Sequence, residues 1–102
     1  MQISFFNPPP EGEPITIGLE KLVVPDIPII PFIEGDGIGP DIWQAARPVL
    51  DEAVHRSYGN RRRLGWMEIP AGGKAIAQLG NPLPEETIRA IARYRIAIKG
   101  PL

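Results

Sequence analysis

Glycine stands at every second position of Gly35-Asp36-Gly37-Ile38-Gly39, with Glu34 before it and Pro40-Asp41 after it. Glycines let a backbone turn sharply and approach a ligand with no Cβ in the way. Set between a strand and a helix, such a loop can aim backbone N–H groups at a phosphate. The dinucleotide fingerprint needs G-x-G-x-x-G, and the position three after Gly37 is Pro40, so that pattern is not met. On spacing alone two readings stand: a ligand loop, or a tight strand-to-helix turn. Glu34 and Asp36 can serve as paired acid–base carboxylates or metal ligands. No histidine or second ligand cluster accompanies them, so capping the following helix or solvating the loop is the simpler role.

Lys99 ends an apolar run, Ile96-Ala97-Ile98, and precedes Gly100-Pro101. A lysine at the C-terminal end of a strand is placed to meet an anionic ligand in the crevice of an open sheet. The competing reading is an ordinary strand-terminal charge. Ala71-Gly72-Gly73-Lys74 resembles a phosphate loop faintly. The Walker pattern requires glycine where Glu68 stands and Ser or Thr where Ala75 stands, so Gly72 and Gly73 read as a turn. Arg61-Arg62-Arg63 reads as a solvated loop, because no aromatic residues interleave it. His55, the one histidine, suits the C-terminal end of a helix. Trp43, Trp66 and Tyr94 read as packing aromatics.

The elements that would position these residues are legible. Residues 1–14 hold four prolines and read as an extended arm. Ile15-Thr16-Ile17 and Leu22-Val23-Val24 flank four residues and predict a hairpin. Ile29 to Glu34 reads as a strand buried on both faces, with Pro31 confined to its first residues or an edge. Pro40 to Tyr58 predicts a helix with Ile42, Ala46, Val49, Leu50, Ala53 and Val54 on its apolar face, stopped by Gly59-Asn60 and interrupted at Pro48, where one hydrogen bond is lost. Leu64 to Ile69 reads as a second strand, Lys74 to Leu79 as a short helix and Pro84 to Tyr94 as a third helix with an Ile88-Ile91-Ala92 stripe. Arg95 to Lys99 reads as the last strand. The alternation predicts an α/β fold: part of a mostly parallel sheet with right-handed crossover helices and an N-terminal β-hairpin.

At 102 residues the chain makes one domain at most. Thirteen prolines and eleven glycines punctuate apolar runs, which predicts ordered structure rich in turns. A net charge of −1 provides no field toward nucleic acid or an anionic membrane. With no cysteine there is no disulfide framework and no thiolate metal site. The N-terminus lacks a basic segment followed by an apolar core, so no signal peptide is expected.

Taken in order, Val24-Pro25, Ile29-Ile30-Pro31-Phe32-Ile33, Glu34-Gly35-Asp36-Gly37-Ile38-Gly39, Trp66-Met67-Glu68-Ile69, Leu83-Pro84 and Tyr94 through Leu102 resemble the N-terminal part of NADP-dependent isocitrate dehydrogenases of bacterial type. The resemblance covers roughly residues 14–102. The glycine loop marks the wider isocitrate/isopropylmalate dehydrogenase family, and Ile98-Lys99-Gly100-Pro101-Leu102 favours isocitrate over isopropylmalate enzymes; a related 3-isopropylmalate or homoisocitrate dehydrogenase is the alternative within the family. The resemblance implies oxidative decarboxylation of isocitrate to 2-oxoglutarate and CO2, with NADP and Mg2+ or Mn2+. It implies a cytoplasmic homodimer of the tricarboxylic acid cycle and glyoxylate bypass, with no nucleic acid or membrane partner. It places Ile38, with Gly37, against the cofactor and Lys99 near the substrate carboxylates. The catalytic residues and metal ligands of the family match nothing in this chain. The expectation is therefore an incomplete large domain over residues 15–102, inactive and marginally stable alone, with exposed apolar surface. A natural short, non-catalytic interaction module pairing through open strand edges is a further alternative.

Overall fold

The computed structural model describes residues 5–102, so the first four residues of the expected arm lie outside the described part. Strands β1 (Thr16–Ile17) and β2 (Leu22–Val23) pair antiparallel. The Gly18 N–H donates to the Lys21 carbonyl at 2.8 Å and closes the expected four-residue loop. Strands β3 (Ile29–Ile33), β4 (Gly65–Glu68) and β5 (Ile98–Lys99) form a parallel sheet in the order β4-β3-β5. Helix α1 (Gly39–Tyr58) joins β3 to β4; α2 (Gly73–Leu79) and α3 (Glu85–Tyr94) lie between β4 and β5. The arm is stitched to this sheet: Phe6 N–H donates to the Glu68 carbonyl, and Ile29 N–H to the Glu13 carbonyl, both at 3.0 Å.

Side chains alternate across a strand, and β3, buried throughout, feeds two cores. Ile29 and Ile33 pack with Met67, Ile69 and Ala71, and with Ala90 and Tyr94 of α3. Ile30 and Phe32 pack on the other face with Trp66 and with Trp43 of α1. Phe32 stacks on Trp43 with centroids 4.6 Å apart, and Trp66 meets Trp43 edge-on at 4.9 Å. Trp66 Nε1 donates to Asp51 Oδ1 at 2.8 Å, which supplies the partner a buried indole N–H requires.

Several expectations are corrected. Pro31 sits inside the central strand, opposite Met67, and not at an edge. The Pro28 and Phe32 carbonyls bond toward β4, and the Ile33 carbonyl toward β5. By alternation, Pro31 turns its missing N–H toward β5, which is in register only with Phe32 and Ile33. No ladder bond is lost. In α1 the inward residues are Trp43, Ala46 and Leu50, while Ile42 and Val49 are 49% and 68% exposed. In α3 the buried residues are Thr87, Ala90 and Tyr94, while Ile88 and Ala92 are exposed. Helix α1 runs on through Pro48; Pro48 is exposed, on the side where water can serve the Gln44 carbonyl. The last strand begins at Ile98, because Arg95 takes φ 70° and caps α3 by donating its N–H to the Ile91 carbonyl. Pro84 is the residue before α3, in extended conformation, and not its first helical residue.

Candidate functional site at the strand ends

In a parallel sheet all C-terminal strand ends lie on one side. Glu34 follows β3, Glu68 ends β4 and Lys99 ends β5, with Phe32 opposite Glu68 and Ile33 opposite Lys99. The connection leaving β3 returns beside it at β4, and the next returns on its other side at β5. Ligands of open α/β sheets bind where the winding reverses in this way. Here that point is the gap between β3 and β5, and the glycine loop fills it.

The loop is held from both sides. Gly100 N–H donates to the Ile33 carbonyl at 2.9 Å, and Asp36 N–H to the Pro101 carbonyl at 2.7 Å. The approach of the two segments is so close that a Cβ on Gly100 would collide with the Glu34 carbonyl. On the other side, Asp36 Oδ1 accepts the Gly73 N–H at the start of α2, at 2.8 Å. Asp36 thus bonds to a later helix and makes no side-chain cap on α1, whose N-cap is Ile38. Between these pins the tip of the loop, Gly37 and Ile38, stands exposed, with Ile38 67% accessible.

Beside the loop, Lys74 bridges two carboxylates. Its Nζ donates to Glu34 Oε1 and, at 2.7 Å, to Glu68 Oε2. The three side chains retain 29%, 22% and 17% of their accessibility. Burial pushes the Glu68 carboxyl above its ordinary range; Lys74 draws it back in part, and Glu34 adds to the rise. Burial alone would depress Lys74, but the hydrogen bonds and charges of Glu34 and Glu68 outweigh it and hold the ammonium above its ordinary value. Glu34 and Glu68 also line a cleft of about 470 Å3, together with Phe32, Asp41, Trp43 and Arg47.

Of the residues singled out in the sequence, the fold brings the Gly37–Ile38 tip and the Lys99 strand end to one switch point. Lys99 is exposed, and its Nζ donates to the Gly100 carbonyl at 2.9 Å. The Arg61–Arg63 triplet and His55 lie elsewhere. Arg63 pairs with Glu11, Arg62 lies 3.6 Å from Asp26, and His55, Arg62 and Arg63 border a separate cleft. Glu68 and Lys74 were not expected at the site. A glutamate ending the second strand, in register with the first, was the available signal; Lys74 lay inside the discarded phosphate-loop pattern. Among the described residues no group of three or more His, Cys, Asp or Glu is placed to hold a metal ion. The Mg2+ or Mn2+ implied by the resemblance therefore finds no such ligand set among them. No helix among the described residues is long and apolar enough to cross a membrane.

A family model described as isocitrate/isopropylmalate dehydrogenase matches residues 29–102. The chain is 56% identical over 91 residues to an isocitrate dehydrogenase [NADP] from Staphylococcus aureus, covering 89% of this chain and 22% of that protein. It is 55% identical over 96 residues to the enzyme of the same name from Coxiella burnetii, covering 92% and 22%. A crystal structure of isocitrate dehydrogenase from Methylococcus capsulatus superposes with a TM-score of 0.60 at 40% identity, over 72% of this chain and 20% of that one. The chain thus spans about a fifth of the length of the relatives it matches.

Proposed function

Because this chain belongs to the isocitrate/isopropylmalate dehydrogenase family, we propose that residues 15–102 form the opening part of the large domain of an NADP-dependent isocitrate dehydrogenase, with residues 1–14 as its leading arm. The reaction oxidises the isocitrate hydroxyl to a ketone and then releases one carboxylate as CO2, leaving 2-oxoglutarate. NADP, when bound, accepts the hydride from the carbon that bears the hydroxyl. The observation that carries the reading is the pairing, at one switch point, of an exposed loop tip with a strand-end lysine.

In this reading Ile38, with Gly37, offers the cofactor an apolar, sterically open contact; a Cβ on Gly37 would meet nothing within 4 Å. Lys99 offers an anion a cation on a long, exposed stem. Its Nζ meets a backbone carbonyl, which it can exchange for a stronger, charge-assisted bond to a carboxylate. Catalytic groups and metal ligands for Mg2+ or Mn2+ come from outside this chain. Homodimer assembly, a cytoplasmic location and a place in the tricarboxylic acid cycle and glyoxylate bypass belong to the same proposal.

The test is nicotinamide reduction by the full-length protein carrying this chain, supplied with Mg2+, NADP and one hydroxy-diacid at a time. Reduction with isocitrate is expected. Reduction only with 3-isopropylmalate or homoisocitrate moves the protein to a sister branch of the family, and reduction with none of the three overturns the reading.

A further inference from the structure

The Gly72-Gly73 turn is shaped to receive an anion, and the anion it receives is the protein's own. A Cβ on Gly72 would strike Asp36 Oδ2, and one on Gly73 would stand 2.9 Å from Asp36 Oδ1. Oδ1 accepts the Gly73 N–H at 2.8 Å. The backbone of Asp36 is engaged as well: its N–H donates to the Pro101 carbonyl at 2.7 Å, and its carbonyl accepts the Gly39 N–H at 2.8 Å. One residue therefore ties the loop to α2, to the segment after β5 and to the start of α1. Next to Gly73, Lys74 reaches Glu34 and Glu68, so the first turn of α2 is itself anchored to the ends of β3 and β4.

Only Gly37 separates this knot from Ile38, the most exposed side chain of the loop. Gly37 has φ 56°, a conformation glycine adopts freely, so the flanking bonds and not the tip itself decide where Ile38 stands. We propose that Asp36 is a positioning residue. Its carboxylate, seated in the Gly72–Gly73 turn, fixes the glycine loop so that Ile38 is presented to the nicotinamide cofactor. This inference rests on the dehydrogenase reading above and adds to it a residue that acts through Ile38, with no contact to substrate or cofactor.

The experiment uses the full-length enzyme and two variants. Asp36→Ala removes the acceptor; Asp36→Asn keeps an oxygen in its place. In Asp36→Ala the KM for NADP should rise about tenfold, in line with the loss of a hydrogen bond to a charged group. Its kcat and its KM for isocitrate should hold within about twofold, because only the pre-organisation of the cofactor loop is removed. Asp36→Asn should recover most of the affinity for NADP. In the same samples the Gly73 amide should exchange with solvent faster in Asp36→Ala than in wild type or Asp36→Asn. If Asp36→Ala does not fold, Asp36→Glu, which pushes the carboxylate one methylene too far for the turn, should show the same selective rise. An active wild type with an unchanged KM for NADP in the variants overturns this inference alone. A wild type inactive on every hydroxy-diacid overturns the dehydrogenase reading and this inference with it.

Discussion

Lys74 Nζ lies 2.7 Å from Glu68 Oε2, across a junction where a helix start meets a strand end. The same ammonium holds Glu34, so one cation satisfies two partly buried carboxylates. Replacing Lys74 by Met would leave those carboxylates facing one another. A loss of about 1–3 kcal/mol in unfolding free energy is expected, the range for hydrogen bonds to charged groups at such depth. Lys74→Arg should retain most of it, and adding Glu68→Gln to Lys74→Met should restore part. Denaturant titration of the four proteins measures all three effects.

The same group sets a pH dependence of one sign in two separate windows: both Glu68 and Lys74 are raised, so each contribution fades as pH rises. Lys74 titrates above its ordinary 10.5 in the folded protein. Its contribution to stability is fully present below 10.5 and is lost as pH rises through the higher native value. Glu68 is raised above 4.5, so the unfolded chain gives up that proton first. Its contribution favours folding at and below 4.5 and fades as pH climbs through the raised native value. The stability of wild type relative to Glu68→Gln should therefore fall as pH rises through that window, as read from urea midpoints at a series of pH values. A flat difference would contradict the assignment.

Thr87 is completely buried in α3, and its Oγ1 donates to the Pro70 carbonyl at 2.6 Å. Thr87→Val keeps the shape and leaves that carbonyl without this donor. The expected cost is about 1–3 kcal/mol, the penalty for an unmade buried hydrogen bond. Thermal unfolding compared with Ala90→Gly, a packing change without a polar group, separates the two causes.

Gly100 lies so close to the Glu34 carbonyl that no side chain fits. Gly100→Ala must push β5 away from the glycine loop and should cost about 1–3 kcal/mol, as overpacking does. Faster hydrogen exchange at the Gly100 and Asp36 amides, the two donors that join the segments, would report the separation directly.

At the proposed contacts the expected effects fall on different ligands. Ile38→Asp, placing a charge on the exposed loop tip, should raise the KM for NADP at least about tenfold by repulsion of the phosphates and loss of apolar contact. Lys99→Met should instead raise the KM for the hydroxy-diacid, by the value of one charge-assisted bond, about tenfold. Steady-state kinetics on the full-length enzyme distinguish the two patterns.

Much of the architecture was written in local chemistry. The unbroken apolar run at Ile29–Ile33 marked a strand buried on both faces, Gly59 marked the end of α1, and Gly18–Lys21 marked the hairpin loop, because each signal depends only on near neighbours. Which helix face turns inward was legible only in part. Ala46 and Leu50 meet the sheet as read, beside Trp43, yet Ile42 and Val49 of the same expected face turn outward, since the direction of the sheet from the helix is a long-range fact. The same limit hid Thr87, whose partner lies seventeen residues away, and the tolerance of Pro31, which depends on where a strand sixty-odd residues later begins its pairing.

At the site the division is sharper. Residue order alone identified the glycine loop and Lys99 as strand-end features, because glycine spacing and the end of an apolar run are properties of contiguous residues. Tertiary structure alone decided that the Asp36 carboxylate binds α2 and does not cap α1, that Gly72-Gly73 receives a carboxylate of the chain itself, and that Lys74 joins Glu34 to Glu68. Those contacts close over loops of six to forty residues, and the geometry of such a closure is set only when the parallel strands have been laid side by side.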